Sequence, residues 1–313
     1  MSAEFSSGLA LSRHELDRDY LSRVNPVLFD ELFADSQTRV LLLWNGQALL
    51  AGAALDLRPA ASVPPPELLL YLGKSLDGSA TPYVAAILSD DAAATLGDSV
   101  VWGDLRSLGS TLSDLETGLF TEALALANWH AAHRFSPRTG QPTVAALGGW
   151  VRRPDFTLEN DGTSHDLFPR TDAAIIVGVT DADDRILLGS NALWSVNRFS
   201  LLAGFVEPGE SLENAVVREV YEESGMRIVN PVYLGSQPWP FPASLMLGFR
   251  ATVDPDQESV LTPDGEEILA LRWFSRAELA ASLDEIVLPG STSIARAIIE
   301  DWFGQPIHQK RQW

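Results

Sequence analysis

Three glutamates, Glu219, Glu222 and Glu223, stand at i, i+3 and i+4 in the run Arg218-Glu219-Val220-Tyr221-Glu222-Glu223. A helix through this run sets all three carboxylates on one face. Leu212, Ala215, Val216 and Val220 fall on another side and suit burial against a sheet. Three like charges with no interleaved lysine repel one another and weaken an isolated helix. Acidic triplets are ordinarily solvated helix faces. The chemical alternative is a hard divalent cation, since Mg²⁺ or Mn²⁺ takes carboxylate oxygens and keeps waters for a phosphate-bearing substrate. The flanks frame one helix: Pro208-Gly209 forms a turn, Ser211 is the N-cap, and Gly225 stops the helix where a left-handed residue is wanted.

The elements that must position this helix follow from hydrophobic patterning. Residues 173–179 (AAIIVGV) read as a buried strand, 185–189 (RILLG) as another and 269–274 as a late one, with a closing amphipathic helix over 291–303. Strands, then a helix, then more strands with a helix predict an α/β sandwich and not a doubly wound sheet. Earlier in the chain, 39–51 (RVLLLWNGQALLA) has two apolar runs around Asn45-Gly46, a tight-hairpin dipeptide. Apolar segments at 67–72 and 82–89 follow the break at Pro64-Pro65-Pro66. Ser113-Asp114 caps a helix running to about His133, with Leu115, Leu119, Ala123, Leu126 and His130 at helical spacing. The expected organisation is a mixed α/β domain over 1–125, a helix end and turn-rich linker over 126–168, and an enzyme domain over 169–313. No chemical motif occurs in residues 1–125.

At 313 residues two domains are the natural expectation. Lys plus Arg total 22 against 42 Asp plus Glu, a formal net charge of −20. That field disfavours non-specific binding of DNA or RNA, and an anionic substrate then needs local positive charge, most simply from bound metal. There is no cysteine, which removes disulfides, a thiol nucleophile and any cysteine-ligated zinc or iron–sulfur site. Without a bilayer-length apolar run or a signal-peptide pattern, the expected location is cytoplasmic.

The acidic helix sits in a longer pattern: Gly204, five residues, Glu210, seven residues, then Arg218-Glu219-Val220-x-Glu222-Glu223-x-Gly225-Met226. This run is identified as a Nudix box. The resemblance implies an α/β/α sandwich whose box helix holds two or three Mg²⁺ or Mn²⁺ ions through Glu219, Glu222 and Glu223. It further implies that Glu210 and Arg218 orient helix and loop by a salt bridge, and that the carbonyl near Ala203 joins the metal shell. One of the carboxylates, or a water on the metal, handles the proton.

Downstream of the box, Ser236-Gln237-Pro238-Trp239-Pro240-Phe241-Pro242-Ala243-Ser244 is a stiff loop of prolines and aromatics that can hold planar surfaces and amide donors against a base. It resembles the SQPWPFPxS signature of NADH pyrophosphatases of the NudC type. Trp129-His130, His133-Arg134-Phe135 and Phe168-Pro169-Arg170 resemble other parts of that family, so the likeness covers roughly residues 100–305. It implies Phe168 and Phe205 as base-stacking aromatics, Glu267 as a further metal ligand beside its competitor Glu266, and Gln237, Trp239 and Ser244 as substrate-recognition residues. The implied reaction is metal-dependent hydrolysis of NADH, and of NAD⁺, to nicotinamide mononucleotide and AMP by a cytoplasmic homodimer.

Family members commonly carry a four-cysteine zinc ribbon between the domains. Here Ser136 and Thr139 stand where the first knuckle's cysteines would be, with Asn160 and Thr163 in the second. Neutral side chains of this kind do not ligate zinc, so a metal-free hairpin held by hydrogen bonds and packing is expected, without structural zinc. His130 and His133 are read as helix-end packing or hydrogen-bonding residues. The same chemistry on the NAD cap of an RNA 5′ end, on ADP-ribose or on a dinucleoside polyphosphate is the nearest rival. A nucleotide-binding regulator without hydrolysis is a rival of another class, and such proteins usually lose a box carboxylate, whereas every one is present here.

Overall fold

The computed structural model describes residues 2–154, 165–257 and 260–309. The chain forms two compact units. One comprises Met1–Ser12, Asp172–Pro238 and Ser244–Trp313, the other Arg13–Thr171 and Trp239–Ala243. The first residues of the chain thus fold with its C-terminal half, a placement that no local sequence signal announces. Among the described residues no helix is long and apolar enough to cross a membrane.

The unit of the acidic helix is built on a six-stranded sheet ordered Ile228–Trp239, Ser244–Val253, Asp172–Thr180, Ile186–Asn191, Ile268–Phe274, with Leu202–Phe205 pairing against Asp172–Thr180. Strand Asp172–Thr180 runs parallel to Ser244–Val253 in register from Asp172↔Ser244 to Thr180↔Thr252. Because side chains alternate across a strand, Ile175, Val177 and Val179 pack on one face against Ala215, Val216 and Val220 of helix Leu212–Ser224. Ile176 goes to the other face, with Ile294, Ile298 and Ile299 of helix Ile294–Phe303. Gly178 and Gly248 make room for that second helix, since a Cβ at either would come within 2.9 Å of Ile298 or Ile294. The result is the helix–sheet–helix sandwich expected from the patterning.

The other unit has an eight-stranded sheet ordered Leu16–Asp17, Leu68–Ser75, Pro82–Ile87, Arg39–Trp44, Gln47–Ala51, Ala54–Leu55, with Leu57–Pro59 and Val101–Asp104 attached beside it. Asn45 (φ 49°) and Gly46 (φ 77°) form the hairpin turn, and Trp44 pairs with Gln47 across it. Helix Asp114–Ala132 opens with a capping box of Ser113 and Glu116 and ends at His133. A small ribbon, Thr143–Ala146 against Val151–Pro154, completes the unit.

Where zinc knuckles would stand, Ser136 is buried. Its N–H donates to the Gln141 carbonyl at 2.8 Å, and its own carbonyl accepts from Gly140 at 2.8 Å. The Ser136 hydroxyl accepts from the Arg138 N–H and the Thr139 hydroxyl from the Gln141 N–H. Hydrogen bonds therefore close this turn. Asn160 and Thr163 lie outside the described residues. His130 Nδ1 faces Arg152 Nη1 at 2.7 Å, and its Nε2 faces the Gly149 carbonyl at 2.7 Å. A guanidinium can only donate, so Nδ1 accepts, Nε2 carries the proton, and the ring is neutral. Burial, first, lowers its pKa to about 4. His133 Nδ1 meets the Trp129 carbonyl.

Candidate active site

Strand Leu202–Phe205 delivers the chain to a turn in which the Glu210 N–H donates to the Glu207 carbonyl at 3.1 Å and Gly209 takes φ 92°. That φ is open to glycine at no steric cost. Ser211 caps helix Leu212–Ser224 through the Asn214 N–H, and Gly225 closes it at φ 70°. Arg218 ties the assembly together. Its Nε and Nη2 form a two-point bridge to Glu210 at 2.8 and 2.9 Å, and Nη2 also reaches the Phe205 carbonyl at 3.0 Å. Its Nη1 donates to Glu219 and Glu222 at 2.8 Å each. The bridge to Glu210 chiefly holds Arg218 protonated and keeps Glu210 below the usual carboxylate range.

The three helical carboxylates differ in their surroundings. Glu222 is exposed, its side chain 56% accessible, while that of Glu219 is 14% accessible. The Glu219 carboxyl lies against Gly204, where an added Cβ would fall 2.0 Å from it. A side chain at this first glycine of the box would have to displace the Glu219 carboxyl. Glu223 is buried at 5% exposure, and its Oε2 has no hydrogen-bond partner. Burial first, then the charges of Glu267, Glu219 and Asp264, push it up to about 8, against a hydrogen bond from the Ala203 backbone. Burial also raises Glu219, with Arg218 opposing.

Glu267, from the start of strand Ile268–Phe274, thus shares the electrostatic neighbourhood of Glu219 and Glu223. Its Oε1 accepts from Asn191 Nδ2 at 3.2 Å. Glu266 is exposed, as Glu267 is, but Glu267 is the one among the leading charges acting on Glu219 and Glu223. The sequence reading missed Asp264, whose carboxylate collects the N–H groups of Glu266, Glu267 and Ile268 and so shapes the turn carrying Glu267. Those N–H groups lower its pKa despite burial, the largest single influence, which raises it. The Asp264-Gly265 pair is the signal that could have found it.

Among the described residues no three acidic or histidine side chains are already drawn together as a finished metal cage. Arg218 occupies two of the carboxylates instead. Yet the donor chemistry fits a hard cation: a buried carboxylate oxygen without a partner, repelled by neighbouring carboxylates, beside a glycine that leaves Glu219 its space.

The proposed substrate residues divide. Phe205 is 60% exposed at the end of its strand, and Phe168, in the other unit, is 67% exposed. Ser244 is half-buried at a strand start. Trp239 stacks edge-to-face with Phe241 at 4.9 Å. Gln237 is fully buried: its Oε1 accepts from the Leu11 N–H and its Nε2 donates to the Thr292 carbonyl, so its amide ties the N-terminal segment to the core.

Known proteins resemble this chain over most of its length. Residues 169–295 match the NUDIX domain family, and residues 37–129 match the NADH pyrophosphatase-like rudimentary NUDIX domain. The NAD-capped RNA hydrolase NudC of Mycobacterium bovis (strain BCG / Pasteur 1173P2) is 45% identical over 281 residues, covering 87% of this chain and 85% of that protein. The NAD-capped RNA hydrolase NUDT12 of Homo sapiens is 35% identical over 202 residues, covering 61% of this chain and 42% of its own length. A NUDIX hydrolase structure from Nitrosomonas europaea overlays 56% of this chain and 97% of its own at 22% identity and TM-score 0.38.

Proposed function

The chain belongs to the Nudix hydrolases, in their NADH pyrophosphatase branch with the zinc-ribbon cysteines lost, and from that premise we propose that it hydrolyses the pyrophosphate of NADH and NAD⁺ to nicotinamide mononucleotide and AMP. The observation that carries this reading is the buried, unpartnered Glu223 oxygen among Glu219, Glu267 and Asp264, a carboxylate arrangement that calls for a cation.

Glu219, Glu222, Glu223 and Glu267, with the Ala203 carbonyl, would hold Mg²⁺ or Mn²⁺. Such an ion would supply positive charge against the pyrophosphate and acidity to the attacking water. The water oxygen bonds to one phosphorus as the bridging P–O bond breaks, and the bridging oxygen leaves with the other mononucleotide. A box carboxylate takes the proton the water loses. Arg218 and Glu210 keep the helix and its entering loop in one pose, so that the carboxylates stay aligned through turnover. Phe205 and Phe168 offer exposed rings for a base, and Trp239 and Ser244 contribute recognition. The enzyme is read as a cytoplasmic homodimer, which analytical ultracentrifugation tests directly.

The NAD cap of an RNA presents the same linkage and is the second reading, favoured by the names of the relatives above. Purified protein is incubated with NADH, NAD⁺, ADP-ribose, diadenosine tetraphosphate and an NAD-capped RNA in Mg²⁺ or Mn²⁺, with Glu222→Gln alongside. AMP plus reduced mononucleotide from NADH, lost in the variant, is the expected result. Fastest turnover of the capped RNA would favour the second reading, and turnover of ADP-ribose with NADH untouched would end the NADH assignment.

A further inference from the structure

The rudimentary domain has no chemical motif, yet it holds the proline-rich loop. Trp239–Ala243 leaves one unit's sheet after Pro238, folds with the N-terminal unit, and rejoins the sheet at Ser244. Its prolines carry no N–H, so the loop has few backbone donors with which to brace itself. One brace is internal, from the Phe241 N–H to the Trp239 carbonyl at 2.7 Å. The others come from outside the loop. Asn128, near the end of helix Asp114–Ala132, donates its amide to the Pro240 carbonyl at 2.9 Å and the Pro242 carbonyl at 3.2 Å. The Arg106 guanidinium lies 4.1 Å from the Phe241 ring centroid and 5.3 Å from that of Trp239, covering the aromatic pair. Buried Leu119, Phe120, Ala123, Leu124 and Leu126 hold that helix in the unit's interior, so Asn128 is fixed from below. Both rings of the pair remain partly accessible.

We propose that Asn128 and Arg106 are positioning residues for substrate recognition: the N-terminal unit presets the Trp239–Phe241 pair for the nicotinamide end of the dinucleotide. This rests on the reading above that the loop recognises substrate. A preset aromatic pair loses less conformational freedom when a base binds, which tightens binding without touching the chemical step. Loosening it therefore weakens recognition and spares catalysis.

The test uses the full-length protein with Mg²⁺ or Mn²⁺ and compares NADH with ADP-ribose, which keeps the linkage but lacks nicotinamide. Asn128→Asp preserves shape and turns both donors into acceptors facing two carbonyls; Arg106→Met removes the cation from a surface position. Each variant is expected to raise KM for NADH about tenfold, the loss of one or two hydrogen bonds or one stacked cation. The NADH kcat stays within about threefold and ADP-ribose kcat/KM within about twofold, so selectivity falls about tenfold. A parallel fall on both substrates with a lowered Tm, or unchanged selectivity in both variants, overturns the proposal. Absence of NADH preference in the unmodified protein would instead defeat the reading of the loop, and it is visible before any variant is measured.

Discussion

Each unit buries a glutamate on its long helix, and the two fare differently. Glu122 on helix Asp114–Ala132 and Glu223 on helix Leu212–Ser224 are 7% and 5% exposed, and each has one oxygen without a hydrogen-bond partner. Burial is the leading reason that Glu122 is pushed up to about 7 and Glu223 to about 8. Their neighbours have opposite signs. Glu122 faces Arg18, at 3.4 Å, and Arg23, both of which lower its pKa, and Arg23 itself lies over the Trp150 ring at 3.6 Å. Glu223 faces Glu267, Glu219 and Asp264, which raise it further. Burial alone does not mark a site. Glu122 has cationic neighbours within the fold, whereas carboxylates surround Glu223, and that second arrangement favours a cation from solution.

The sharpest way to break this contrast is to neutralise each glutamate in turn. Glu223→Gln should lower kcat by at least about a hundredfold, the scale expected for damage to a metal site. Its Tm in metal-free buffer should rise by a few degrees, since about 1 kcal/mol corresponds to roughly 2–4 °C in a domain of this size. Loss of stability together with activity would show that Glu223 is ordinary packing. Gly204→Ala comes next: its Cβ would fall 2.0 Å from the Glu219 carboxyl, and displacing that carboxyl by about an ångström should cost on the order of a hundredfold in steady-state turnover.

Metal binding separates the glutamates at smaller scale. Mn²⁺ at about a hundred times its Kd should stabilise the protein by about 2.7 kcal/mol, read as a Tm shift. Glu223→Gln should abolish the shift and Glu122→Gln should keep it; equal shifts in both would erase the distinction.

The smallest effect per unit of the variable changed is in pH. The folded-state pKa of Glu122 lies above its ordinary value of 4.5, so the folded protein binds the extra proton. Its contribution to stability is complete below about pH 4.5 and declines as pH rises to about 7. The slope reaches at most about 1.4 kcal/mol per pH unit. His130 acts in reverse: lowered from 6.5 to about 4, it contributes above pH 6.5 and loses that contribution as pH falls. Denaturant titrations across pH 4–7 should show the falling component shrink in Glu122→Gln, with the part that Glu223 contributes remaining beside the rising one of His130; an unchanged profile would place the titration elsewhere.

Much of the molecule was legible because its determinants are local. The Asn45-Gly46 hairpin, the Ser113 cap and the continuous apolar run at 173–179 depend on neighbours a few residues away, and each formed as read. The box helix was legible for the same reason, since helical spacing alone sets its three carboxylates together. The burial of Gln237 was not legible, because its motif offers amide and aromatics alike and the hydrogen bond from Leu11 joins segments distant in sequence. Asp264 was missed because its effect passes through a turn distant in sequence from the box.

By itself the sequence determined a carboxylate face, through residue types at fixed helical intervals, and through its full box pattern the resemblance that implies the reaction; a cysteine-free chain excludes a cysteine-ligated ribbon. Tertiary structure decided which carboxylate is starved of a partner, why Gly204 has no side chain, and where the proline-rich loop is held. Those outcomes depend on desolvation and on like charges converging from separate strands and turns, and neither exists until the chain has folded.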